Sequence, residues 1–102
     1  MLTLNNLYNL SQPEENTEHF NTLMETQGCK IQTIRSWLKT PGKCYNQEED
    51  ELVFLINGAA KLEVEGEKHL LTKGDYCFIP KFTEHRVLET SSDALWIGVF
   101  SS

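Results

Sequence analysis

Glu51 and His85 are the two residues of this chain whose types and positions could do chemistry. Glu51 is the last of four consecutive acids, Glu48–Glu51, and it stands directly before the apolar run LVFLI. His85 follows a short loop and opens the segment HRVLET. A carboxylate drawn into a core needs a cation or several hydrogen-bond donors beside it. Spacing alone leaves two alternatives for each residue: Glu51 enters the core or stays hydrated at its rim, and His85 is functional or structural.

Strand alternation predicts which neighbours accompany Glu51. If a strand starts near Tyr45, one of its faces carries Tyr45, Gln47, Glu49, Glu51, Val53 and Leu55. The opposite face carries Leu52, Phe54 and Ile56. Because both faces are apolar beyond Glu51, the strand is predicted to be buried on both sides, with Glu51 at the boundary. The remaining histidines, His19 and His69, are expected at the surface.

The composition predicts one small acidic domain over residues 1–102. The net charge is −6 and no cluster of Lys and Arg is present, so nucleic acid and anionic membrane surfaces are unlikely partners by charge. The three cysteines form no CxxC pair, which favours a reducing compartment over a disulfide framework. No basic start with an apolar segment and no apolar run of about 20 residues occurs, so we expect a cytoplasmic location.

The chain from Lys30 onward reads as about seven short strands. The segments are KIQTIRSWL, LVFLI, AAKLEV, KHLLT, YCFIP, HRVLET and ALWIGVF. Turn residues separate them and no convincing helix lies between them, which excludes a parallel α/β sheet and predicts an all-β sandwich or barrel. In AAKLEV, Ala60, Leu62 and Val64 are predicted to face inward. Asn57 and Gly58 predict a hairpin between the second and third segments.

The N-terminal third, residues 1–29, is predicted to be a short helical or irregular arm. Ser11 is a candidate helix cap, and Phe20, Leu23 and Met24 recur at helical spacing before Gly28.

Two motifs make the chain resemble the cupin superfamily, whose members fold as small antiparallel jelly-roll β-barrels. The second half of the family's first motif, a glutamate followed after six residues by a glycine, is matched by Glu51, LVFLIN and Gly58. The second motif is matched in GDYCFIPKFTEH by Gly74, Pro80 and His85, with Phe82 in place of a second glycine. The resemblance covers roughly residues 30–100 and implies a jelly-roll barrel there, preceded by the arm.

The resemblance also implies a metal site, but with a degenerate first motif. The family uses two histidines and the glutamate of the first motif and the histidine of the second. Here the paired-histidine positions are occupied by Tyr45 and Gln47. The implied ligands of a divalent metal (zinc, iron, nickel or manganese) are therefore Gln47, Glu51 and His85, and Tyr45 and Glu49 would contact the substrate. Tyr45 would be a ligand only if deprotonated.

Three functions stay open at this point. The resemblance implies a small-molecule-binding barrel with oxidative or isomerising chemistry, in which His85 or Glu51 is a metal ligand or, without metal, a general base. Loss of the paired histidines favours the alternative, a non-catalytic, metal-free binding or sensing cupin. In the third, the polar cluster is purely structural. Family resemblance further implies a homodimer. By bulk alone, the large aromatic residues Trp37, Tyr76, Phe78 and Trp96 are expected in the core, or else around the pocket.

Overall fold

The structure, a computed structural model, describes residues 1–102 and contains eight strands and no helix. The strands are β1 Thr17–Thr26, β2 Cys29–Trp37, β3 Asp50–Asn57, β4 Ala59–Val64, β5 Glu67–Thr72, β6 Tyr76–Ile79, β7 His85–Thr90 and β8 Ala94–Ser101. They form two antiparallel sheets, one with the order β1-β2-β8-β3-β6 and one with the order β5-β4-β7. The all-β prediction is confirmed, and β2 to β8 coincide closely with the seven predicted segments.

A single core lies between the two sheets. The larger sheet contributes Val53, Leu55 and Trp96 to it, and the smaller sheet contributes Leu62 and Leu71. The alternation predicted for β4 is present, since Ala60 and Leu62 are buried and Val64 packs against the cluster. Residues that alternate along paired strands therefore meet across the gap between the sheets, which is where any interior site must lie.

Whether a large aromatic side chain is buried depends on which face of its strand it occupies, not on its size. Trp96 is buried in the core, whereas Tyr76 and Phe78 are exposed. Strand β6 directs Cys77 and Ile79 inward instead, because Cys77 pairs with the buried Val53 of β3. The expectation that Tyr76 and Phe78 fill the core or line a pocket is wrong.

The N-terminal arm, predicted over residues 1–29 to be helical or irregular, is irregular over residues 1–16, and the predicted helix is wrong for the rest. Residues 1–16 contain no regular element, but Thr17–Thr26 is strand β1, paired along its length with β2 through a two-residue turn at Gln27 and Gly28. The spacing of Phe20, Leu23 and Met24 fits a helix equally well in isolation. Pairing with β2 supplies a ladder of backbone hydrogen bonds, and a short helix with few apolar contacts has no comparable gain.

The predicted hairpin at Asn57 and Gly58 is also wrong. Strand β3 is already paired on one side with β8 and on the other with β6, so no edge remains for β4. The chain instead crosses at Gly58 from one sheet to the other. A Cβ at Gly58 would lie 2.5 Å from Ser91 Oγ and 2.9 Å from Ala94 Cα, and φ is +85°. Gly58 is therefore needed both for its backbone conformation and for the close approach of the two sheets.

Gly58→Ala is expected to lower the free energy of unfolding by roughly 3 kcal/mol, from left-handed strain plus displacement of Ser91 and Ala94. Gly66 is a matched control, because it has φ of +81° and no atom within 4 Å of an added Cβ. Gly66→Ala should cost only the backbone strain of about 1–2 kcal/mol. Chemical denaturation of both variants measures the difference, and equal losses would contradict the close sheet contact at Gly58.

Candidate functional site

A cavity of about 70 Å³ lies between the sheets, around the residues singled out in the sequence. Tyr45, Gln47, Glu51 and His85 all line it. Its apolar wall consists of Phe20, Ile34, Val53, Leu62, Ile79, Val87, Trp96 and Phe100. An apolar pocket with a few convergent polar groups is the usual form of a small-molecule site.

Glu51 enters the interior with β3 and does not stay at a wet rim. It is 6% exposed and shares its strand face with the buried Val53 and Leu55, as alternation predicted. Its carboxylate has two polar neighbours: Gln47 Nε2 donates a hydrogen bond to Oε1 at 3.1 Å, and His85 Nε2 lies 3.4 Å from the same oxygen. These groups supply the donors that a buried carboxylate requires.

His85 is held in one orientation by its own loop. It is 8% exposed at the start of β7, and its Nδ1 lies 2.9 Å from the carbonyl oxygen of Thr83. Because a carbonyl can only accept, Nδ1 carries a proton and Nε2 is the nitrogen that faces Glu51. Burial by itself lowers the pKa of His85, but the hydrogen bonds to Glu51 and Thr83 and the Glu51 charge outweigh it and raise the pKa above its ordinary value.

Tyr45 and Gln47 reach the cavity by a different route from the one predicted. Strand β3 begins only at Asp50, after a bend, so Tyr45 and Gln47 do not belong to it. Tyr45 instead pairs with β7: its N–H donates to the His85 carbonyl at 2.8 Å, and the His85 N–H donates back at 2.9 Å. The two rings stack with centroids 6.0 Å apart. Backbone pairing with β7 therefore places Tyr45 beside His85.

Phe82 joins the segment of Gln47 to the loop before His85. Its N–H donates to the Gln47 carbonyl at 2.8 Å, and its φ is +61°. A left-handed conformation is strained for a bulky residue, which gives a physical reason for the glycine that the resemblance expects at this position. The loop retains that conformation in this chain although Phe82 has replaced the glycine.

The other acids of the run stand apart from the cavity. Glu48 is exposed and Glu49 is half-buried, and neither lines the cavity. Asp50 Oδ1 accepts a hydrogen bond from the Lys81 N–H at 2.9 Å and so fixes the loop on the other side. The structure thus brings Tyr45, Gln47, Glu51 and His85 together and leaves out Glu49, whose contact with a substrate stays a prediction.

Sequence reasoning missed the part of the site that β1 contributes. Glu18 and Phe20 line the cavity, and Ser36 Oγ donates to Glu18 Oε2 at 3.2 Å. In the sequence both residues fall in the predicted N-terminal arm, with Phe20 at helical spacing, because no alternation marks β1 clearly. The turn residues Gln27 and Gly28 between two strand-length segments were the available signal. Arg86 of β7 also lines the cavity, and its Nε lies 3.5 Å from Glu63 Oε1.

The donor set does not fit a resident metal centre. Gln47 presents its NH2 group, not its oxygen, to Glu51. Burial, then the charges of Glu18 and Glu51, raise the pKa of Tyr45, so its phenol keeps its proton and is a poor ligand. Only Glu51 and His85 remain, and no three His, Cys, Asp or Glu side chains converge anywhere in the structure. A site of that kind normally requires three or more such ligands.

The chain belongs to the cupin family, since the family model described as a cupin domain matches residues 40–100. A protein of uncharacterised function from Aquifex aeolicus (strain VF5) is 28% identical over 93 residues, which are 90% of this chain and 77% of the relative.

Solved structures agree with the jelly-roll prediction. A proposed mannose-6-phosphate isomerase from Ralstonia eutropha JMP134 is 28% identical, with a TM-score of 0.84 over 99% of both chains. KdgF from Halomonas sp. is 26% identical, with a TM-score of 0.77 over 88% of this chain and 83% of its own.

No helix of the structure has the length and apolar character needed to cross a bilayer.

Glu18→Gln is expected to stabilise the protein at neutral pH. Burial raises the pKa of Glu18, and the hydrogen bond from Ser36 offsets this only in part. Because the folded pKa is above the unfolded one, the contribution of Glu18 to stability is fully present below pH 4.5 and is lost as the pH rises through the folded pKa. Thermal melts across this range should show a stability advantage of the variant that grows with pH. The exposed Glu89→Gln is the control, and a Glu18→Gln variant less stable than wild type at neutral pH would contradict the prediction.

Proposed function

We propose that this cupin binds a small metabolite in the cavity and transfers a proton on it, with His85 and Glu51 as the acid–base pair. The observation that carries the proposal is the 3.4 Å approach of His85 Nε2 to Glu51 Oε1 on the cavity wall. The Thr83 carbonyl fixes the imidazole, and the Gln47 amide fixes the carboxylate. General acid–base catalysis requires one group that can donate a proton and one that can accept it, both within reach of the substrate.

Isomerisation is the reaction class that this pair serves best. One group removes a proton from a carbon next to a carbonyl and the other returns a proton to the neighbouring atom, so the reaction needs no oxidant or reductant. The name of the Ralstonia relative, which includes an isomerase activity, supports the same class. Its phosphorylated sugar is not proposed for this chain, because the phosphate charge would be repelled by the carboxylates of Glu18 and Glu51 on the cavity wall.

Two alternatives have an observation in their favour. Replacement of the paired histidines by Tyr45 and Gln47 favours a non-catalytic binding or sensing cupin. Convergence of Glu51 and His85 favours a weakly held divalent metal, for which Gln47 would have to turn its oxygen inward. Zinc, iron, nickel or manganese would then supply Lewis-acid or redox chemistry.

Proton transfer can be measured as deuterium incorporation from D2O into dihydroxyacetone, a minimal hydroxyketone of suitable size. Wild-type protein is expected to accelerate the exchange, and Glu51→Gln and His85→Gln should each reduce the acceleration by about 100-fold or more. Glu48→Gln, an exposed acid of the same run, is the control and should leave the rate unchanged. Exchange that is equal with and without the wild-type protein would favour the non-catalytic alternative.

Metal content separates the metal-free site from the metal-dependent one. Elemental analysis of protein purified without an affinity tag is expected to find far less than one metal per chain, also after incubation with zinc, iron, nickel and manganese. The reason is that only Glu51 and His85 are suitable ligands. Near-stoichiometric metal that disappears in Glu51→Ala and His85→Ala would replace this proposal with the metal-dependent one.

We also propose that the chain forms a homodimer through β1. Strand β1 is an edge of the five-stranded sheet, and its residues from His19 to Thr26 are exposed, including the apolar Phe20, Leu23 and Met24. A long apolar edge strand offers unpaired backbone groups to a second strand, and a second copy of β1 would satisfy them.

Light scattering at micromolar concentration is expected to give the mass of a dimer. Leu23→Lys should shift the protein towards monomer, because lysine on an edge strand opposes strand addition. Leu70→Lys, at an exposed apolar residue of β5, the edge strand of the other sheet, is the control. A monomeric wild type, or equal effects of the two substitutions, would contradict an interface at β1.

A further inference from the structure

The cavity carries more negative than positive charge. Glu18 from β1 and Glu51 from β3 both line it, and the charges of both act on the Tyr45 hydroxyl and raise its pKa, after burial. Glu51 has a cationic partner in His85 when the imidazole is protonated. Glu18 has only the neutral hydroxyl of Ser36, which donates to Oε2 and leaves Oε1 without a donor.

The one other cation of the cavity wall does not balance Glu18. The Arg86 Nε is buried without a hydrogen bond, but it lies 3.5 Å from Glu63 Oε1, close enough for their charges to offset each other. The cavity therefore retains an excess negative charge even when His85 is protonated. A half-buried carboxylate with no cation beside it is unfavourable, and a positively charged ligand would remove that penalty.

Aromatic rings form the rest of the wall beside these carboxylates. Phe20, Tyr45, Trp96 and Phe100 all line the cavity. The faces of such rings attract ammonium groups, tryptophan most strongly. Two of the rings already have an ammonium nearby, since Lys30 Nζ lies 5.1 Å from the Phe100 centroid and Lys43 Nζ 5.6 Å from the Tyr45 centroid. Neither lysine lines the cavity, so the interior is left without an ammonium of its own.

We infer that the cavity takes a small organic cation, a primary ammonium compound that also carries a hydroxyl or carbonyl oxygen. Glu18, the cavity carboxylate without a cationic partner, binds the ammonium, the aromatic rings enclose it, and the oxygen belongs to the part of the ligand on which His85 and Glu51 act in the proposed function. A volume of about 70 Å³, against roughly 10–15 Å³ for one water, leaves room for a small molecule and not only for a single water. The inference rests on the proposed function, because it names the substrate class of the same cavity.

Three probes of nearly equal size test the charge preference. They are 2-amino-1,3-propanediol, glycerol and lactate, which present an ammonium, a neutral hydroxyl and a carboxylate. Isothermal titration calorimetry, with tryptophan fluorescence as a second readout, should show the amine binding at least about tenfold more tightly than either of the others, as expected for one charge-assisted hydrogen bond. Glycerol differs from the amine only by a hydroxyl in place of the ammonium, which isolates the effect of charge.

Variants then identify the groups responsible. Glu18→Gln should reduce the preference for the amine over glycerol about tenfold, and Glu89→Gln, an exposed acid outside the cavity, should leave it unchanged. A second cavity variant, Trp96→Phe, should weaken the amine more than glycerol, because a phenylalanine ring attracts an ammonium group less strongly than tryptophan does. Circular dichroism confirms that each variant is folded.

The outcomes separate this inference from the proposed function. Glycerol or lactate bound as tightly as the amine would overturn the cation preference and leave proton transfer by His85 and Glu51 untouched. A preference that survives Glu18→Gln, or the absence of amine binding to wild type, would also overturn it. Selective amine binding that persists in His85→Gln, a variant without the acid–base pair, would support the inference even if the deuterium experiment fails.

Discussion

The burial of the Glu51 carboxylate between two sheets is the constraint to which the rest of the site responds. Moving such a group out of water costs several kcal/mol unless donors and counter-charges replace its hydration. Gln47 and His85 supply the replacement, and neither lies on the strand that carries Glu51, since Gln47 belongs to a loop and His85 is the first residue of β7. The neighbouring strand makes room as well. A Cβ at Gly98 would lie 2.8 Å from the Phe100 ring and 3.3 Å from Glu51 Oε2, so a larger residue there would press on both.

Because Gln47 lies on a loop and His85 directly follows one, these two loops must be held by backbone hydrogen bonds. The reciprocal backbone hydrogen bonds between Tyr45 and His85 fix the start of the segment from Tyr45 to Gln47. The hydrogen bond from the Phe82 N–H to the Gln47 carbonyl fixes its other end. The strained conformation of Phe82 is tolerated because the surrounding bonds determine it. In this chain, amide, phenol and backbone contacts stand where the family's paired histidines would stand. The site is consequently organised by hydrogen bonding, and the chemistry we propose for it is proton transfer in an acidic, aromatic cavity.

Strand β1 links the interior to the outside of the molecule. Glu18 and the half-exposed Phe20 line the cavity, while the outer edge of β1 is the longest exposed edge of the fold. A partner bound along that edge would therefore contact the same ten-residue strand that carries two of the residues lining the cavity. The hydrogen bond from Ser36 to Glu18 connects β1 to β2 at a residue that lines the cavity.

The sequence by itself determined most of the strands, the inward face of β3 and the second-motif histidine. Alternation and turn residues are local patterns, and Glu51, Val53 and Leu55 share a face whichever strands lie beside them. Tertiary structure decided which strands pair. Phe20, Leu23 and Met24 suit a helix or a strand, and only β2 selects between them; Asn57 and Gly58 suit a hairpin until β6 and β8 occupy both edges of β3. The pairing of strands also decides that Glu18 and Trp96 line the cavity. Sheet neighbours are set by contacts between residues far apart in the chain, and local propensity does not encode them.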